Sequence, residues 1–115
     1  MSTHPPHAAA FPYAGPDAWR HTVTAALQRV VDPELALSIV DVGLVYGVTV
    51  TDTTVHVLLT MTSAACPVTD LIIEDIESEL DRVMPAGMQL RVELTWSPAW
   101  TTERMSEGAK CFMGW

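Results

Sequence analysis

A chain of 115 residues with 49% apolar side chains is long enough for one buried core and too apolar to be disordered. Six Lys and Arg stand against 14 Asp and Glu, a formal net charge of −8. The basic residues are scattered from Arg20 to Lys110 with no two adjacent, so neither a nucleic acid nor an anionic membrane surface is expected as a partner.

Residues 1–16 hold Pro5, Pro6, Pro12 and Pro16 around Ala8-Ala9-Ala10 and read as a flexible tail, with His4 and His7 as solvated tail residues. Residues 17–115 read as one domain. Asp17 is a plausible helix N-cap, and Trp19, Val23, Ala26, Leu27 and Val30 fall on one helical face. Pro33 pushes Asp32 out of the helical region, so the helix stops by about Val31. Asp32-Pro33-Glu34-Leu35 is a turn, Leu37 to Val42 an irregular apolar stretch, and Gly43 a break or bulge. Leu44 to Thr51, with Leu44, Tyr46, Val48 and Val50 on one face, and Thr54 to Met61, with Val55, Val57, Leu59 and Met61 alternating, predict a β-hairpin.

Pro67 suits the first position of a second helix, whose apolar face is Val68, Leu71, Ile72, Ile76, Leu80 and Val83. Asp70, Glu74, Glu77 and Asp81 line an acidic face of it, and Pro85-Ala86-Gly87 ends it. Met88 to Trp96 alternates cleanly as a strand with Trp96 inside, and Thr102 is placed as the cap of a short last helix. The order α-β-β-α-β-α predicts an α+β fold, a small mixed three-stranded sheet with helices packed on one face.

Chemistry-bearing residues are few. Cys66 falls between a strand end and a helix start, the N-cap position, where free N–H groups and the positive helix end favour the thiolate that binds metal or attacks. A buried small apolar residue is the equally weighted alternative. One Cys completes no metal site, since zinc and iron–sulfur clusters want about four ligands. A homodimer would supply two copies of Cys66, and a species so held would be labile. Asp32 and Glu34 flank Pro33; paired carboxylates are hard metal ligands or acid–base groups, but the residues alone favour a simple turn. His56 reads as a sheet-face residue in preference to a ligand, and Cys111 as a packing residue in preference to a second sulfur ligand. The acidic helix face, with Glu74 and Glu77, and Trp100 in the loop after the last strand are candidate protein-docking residues. There is no Ser-His-Asp order and no Gly-rich phosphate loop, so catalysis is not expected.

Five segments then fall into a familiar order: Asp32-Pro33-Glu34; Ile39 to Tyr46; Leu59-Thr60-Met61-Thr62 leading to Cys66-Pro67; Val92-Glu93-Leu94 through Pro98-Ala99-Trp100-Thr101; and Met105-Ser106. Over about Val23 to Gly114 the chain resembles the iron–sulfur cluster assembly domain of SufT-like and PaaD-like proteins, found also at the front of Mrp-type P-loop cluster carriers. The resemblance implies a cytoplasmic accessory factor in iron–sulfur or other metalloprotein maturation. It implies Cys66 as the working thiol for a labile cluster or iron, and the acidic loop of Asp32 and Glu34 beside it. The implied partners are a cluster scaffold or P-loop carrier and an apo client metalloprotein. The extra cysteines of the PaaD-like C-terminal region have no counterpart here, so a direct part in phenylacetate epoxidation is not expected. The rival reading is a metal-free adaptor, for example one dedicated to a multicomponent monooxygenase.

Overall fold

The protein, seen in a computed structural model, is described over residues 11–62 and 66–114, with residues 66 and 67 described by their backbone only. The chain runs β1 (Tyr13–Ala14), α1 (Asp17–Gln28), β2 (Val31–Asp32), β3 (Leu37–Ser38), α2 (Ile39–Val42), β4 (Val45–Val50), β5 (Thr54–Leu59), α3 (Cys66–Val83), β6 (Gln89–Leu94), a 3-10 turn (Thr102–Arg104) and α4 (Glu107–Met113). The α+β class holds. The sheet has four strands rather than three, in the order β1-β4-β5-β6, and β2 and β3 add a two-stranded ribbon. It is mixed as expected: β4 and β5 form the antiparallel hairpin, while β1 and β6 lie parallel to β4 and β5.

The fourth strand comes from the stretch expected to be a flexible tail. Phe11 is buried in the core, the Val48 N–H donates to the Pro12 carbonyl at 3.0 Å, and Tyr13 and Ala14 pair with Val48 and Thr49. Proline content hid this strand, because a two-residue edge strand needs little propensity and can carry Pro beside it. The expectation for residues 1–10 lies outside the described residues.

The core is one cluster. Val23, Ala26 and Leu27 of α1 and Ile72, Ile76 and Leu80 of α3 pack on Val48, Val50, Val55, Val57 and Leu59 of the sheet. Spacings of four along α3 give the buried row, and spacings of two along β5 give the other side. In β4 strict alternation fails. A bulge between Val45 and Gly47 buries Val45, Val48 and Val50, and Tyr46 leaves the core row to donate its hydroxyl proton to the Pro98 carbonyl at 2.7 Å. Trp96, placed inside by the same alternation, lies beyond the end of β6 and is 50% exposed.

After β6 the chain returns across the α2–β4 corner as a strap. Trp100 Nε1 donates to the Val42 carbonyl at 2.8 Å, Ser106 N–H to the Asp41 carbonyl at 2.8 Å, and the Arg104 guanidinium sits 4.3 Å from the centre of the Tyr46 ring. Ser106, not Thr102, caps α4, its hydroxyl accepting from the Ala109 N–H. The corner beneath is Gly43, which closes α2 in a left-handed conformation at φ 86°. A Cβ there would stand 2.3 Å from the Arg104 carbonyl oxygen. Gly43→Ala is therefore expected to cost at least about 1–3 kcal/mol, from the backbone conformation alone, in urea unfolding. Gly108→Ala, in α4 where a Cβ meets nothing within 4 Å, is expected to be neutral or to stabilise by up to ~1 kcal/mol.

Candidate metal-handling site

Asp32 closes β2 and is fully buried. Its Oδ1 accepts the Glu34 N–H at 2.8 Å and the Leu35 N–H at 3.4 Å, and its carbonyl accepts the Ala36 N–H at 2.8 Å. These bonds fold the Asp-Pro-Glu-Leu turn, with Pro33 presetting one φ angle and Ala36 taking a positive φ of 59°. The turn reading holds for Oδ1. Oδ2 is buried without a hydrogen-bond partner among the described residues. Leaving such an oxygen unpaired costs on the order of 1–3 kcal/mol, so it calls for an explanation beyond the turn. Glu34, held only by its backbone, is exposed.

The Thr60 hydroxyl, just beyond the end of β5, is likewise buried with no partner among the described residues. A run of backbone bonds leads from the neighbourhood of Asp32 to Thr60. The Ile39 N–H donates to the Val30 carbonyl, Leu44 N–H to Ile39, and Thr60 N–H to Leu44, at 2.9, 2.9 and 2.8 Å. From Thr60 the chain passes to Cys66, the first residue of α3, and α3 in turn touches β2. Cys66 thus belongs to the helix, with Pro67 second, instead of capping it; the thiol itself lies outside the described residues. The first turn of α3 carries no acidic residue, so its N-terminal partial positive charge is unopposed there. Among the described residues no three His, Cys, Asp or Glu side chains converge as a metal cage.

The remaining candidates separate. Glu74 and Glu77 are exposed on α3. Trp100, expected at an interface, is half-buried against the core with its N–H spent on Val42; among the described residues the exposed indole is Trp96. Cys111, expected to pack, is an exposed free thiol. His56 lies on the open sheet face as expected, its Nε2 2.9 Å from Glu93 Oε1.

The sequence names no role for Thr60 or Glu79. Thr60 enters only as part of the Leu59-Thr60-Met61-Thr62 segment. Glu79 sits between the acidic positions of α3 and bonds Arg29 Nε at 2.8 Å and Arg82 at 3.5 Å, tying α3 to the end of α1. The Arg29 hydrogen bond holds its carboxyl below the usual range. A carboxylate with a lowered folded pKa stabilises above its unfolded pKa and loses that contribution as pH falls through the folded value. The thermal midpoint of Glu79→Gln is expected to lie below wild type at neutral pH, and the gap to close on acidification through the carboxylate range.

A family model described as iron–sulfur cluster assembly protein matches residues 20–94. The chain is 36% identical to the Fe-S protein maturation auxiliary factor YitW of Bacillus subtilis, over 85% of this chain and 96% of that protein. It is 41% identical to the Fe-S protein maturation auxiliary factor SufT of Staphylococcus aureus, over 74% of this chain and 97% of that protein. A crystal structure of a domain of unknown function, DUF59, from Bacillus anthracis superposes with a TM-score of 0.78 at 37% identity, covering 85% of this chain and 93% of that one.

Proposed function

The chain belongs to the iron–sulfur cluster assembly protein family, and from that premise we propose that it is an auxiliary factor in the maturation of iron–sulfur proteins. What carries the reading is that relatives named as such factors align over nearly their whole length. The factor works in the cytoplasm, without catalysis, between a cluster scaffold or P-loop carrier and an apo client. Its cargo is a labile cluster or iron.

The donor set suits cargo and not a resident cofactor. Oδ2 of Asp32 is a hard, buried carboxylate oxygen with no hydrogen-bond partner among the described residues. The helix start at Cys66 favours a thiolate. Asp32 and Cys66, even joined by Glu34, fall short of the roughly four ligands a stable site uses. An incomplete shell holds cargo weakly and releases it to a client that offers the full set.

Anaerobic loading with ferrous iron and sulfide, followed by transfer to an apo iron–sulfur enzyme, tests the mechanism. Cys66→Ala is expected to reduce visible absorption, bound iron and client activation to background with an unchanged circular dichroism spectrum. Asp32→Asn keeps an oxygen for the Glu34 N–H and so keeps the turn, but is expected to slow transfer severalfold. Full client activation by Cys66→Ala would refute the thiol mechanism. A metal-free adaptor reading rests on Glu74 and Glu77, which are exposed and make no ion pair among the described residues. Under it, Glu74→Lys with Glu77→Lys weakens client binding whether or not iron is present.

A further inference from the structure

The sheet ends in an open edge at β6. The Gln89 N–H donates inward to Thr53 and the Thr95 N–H to Leu59, both at 2.8 Å. Backbone groups alternate along a strand, so Arg91 and Glu93 also face β5, and the N–H and C=O groups of Leu90, Val92 and Leu94 face outward. Among the described residues no bond outside the sheet ladder takes them. Side chains alternate in the same step. Leu90, Val92 and Leu94 point to the core yet stay partly exposed, while Val55, Val57 and Leu59 on the neighbouring strand are completely buried. The core is therefore unclosed along this edge. Arg91 and Glu93 stand on the opposite, open face and are exposed.

We propose that β6 is a self-pairing edge, and that a second copy of this chain adds antiparallel to it about a two-fold axis through Val92. Two constraints fix that register. Hydrogen-bonded pairs must join residues whose backbone faces outward, which limits the pairing to even residues. Opposite charges must then meet. Centring on Val92 pairs Val92 with the partner copy's Val92 and Leu90 with the partner copy's Leu94, closing the apolar row across the axis. It sets Arg91 opposite the partner copy's Glu93 twice, in the non-hydrogen-bonded positions where side chains come closest. Centring one residue either way, on Arg91 or Glu93, puts like charges face to face. An isologous contact demands this self-complementarity, and Leu90 to Leu94 reads as charge-complementary when reversed on itself. The charges that guard the edge against arbitrary strands thus select its own copy.

Sedimentation of the full chain across the micromolar range, with charge-swapped variants, tests this. Wild type is expected to form a concentration-dependent dimer. Arg91→Glu is expected to raise the dimer dissociation constant about tenfold or more, since two opposite-charge pairs become like-charge pairs. Arg91→Glu combined with Glu93→Arg is expected to restore it. On wild type itself, amide hydrogen exchange at Leu90, Val92 and Leu94 is expected to slow as protein concentration rises, while Arg91 and Glu93, already bonded to β5, stay unchanged. A monomer at every concentration overturns the proposal. So does a dimer indifferent to Arg91→Glu, a double swap that fails to restore pairing, or exchange at the three even amides that ignores concentration. Capture of an extended segment of another protein at this edge by a chain that stays monomeric also overturns it.

Discussion

Leu44 is bonded through both of its backbone groups, its N–H to Ile39 and its carbonyl to the N–H of Thr60. With the bond from Ile39 to Val30, these contacts stitch three separate stretches of chain side by side: the approach to the acidic turn, the short helix α2, and the exit from β5. All four residues are buried, where losing one backbone bond leaves two polar groups unsatisfied. Val30, next but one to Asp32, and Thr60 stand at the two ends of this ladder. The ladder is made only of main chain, so it constrains placement without dictating side chains, and the residues with chemistry are free to be the unpaired ones.

Much of this was legible in the residues. The helical faces of α1 and α3, the β4–β5 hairpin and the alternation of β6 follow from apolar periodicity, because each element buries one side on a common core. The turn at Asp32 follows from Pro33 and an Asx side chain. Illegible were features set by contacts distant in sequence. The parallel strand at Tyr13 exists because β4 offers an edge, not because Pro12-Tyr13-Ala14 favours extension. The bulge at Gly47 depends on where Tyr46 can reach Pro98, 52 residues away. Trp96 is more exposed and Trp100 more buried than expected because the strand ends before Trp96 and the returning strap carries Trp100 inward.

For the site itself, the sequence marked the residue types and their order but not their state. Cys66, Asp32 and Glu34 could be named from motif resemblance. That the two oxygens of Asp32 divide their work, one folding the turn and the other left bare in the interior, is a matter of burial and angle. Thr60 acquires significance only from the same fact, being polar, enclosed and unpartnered.

The strap after β6 has a bearing on how the chain is made. Trp100 reaches Val42 across 58 residues, and Arg104 closes on Gly43 across a similar span. A nascent chain can hold α1, the hairpin and even α3 before any of residues 98–106 has left the ribosome, yet the corner at Gly43 has no cover until they do. A segment synthesised more than 50 residues later therefore completes a joint laid down in the first half of the chain. Translation order and assembly order part company there.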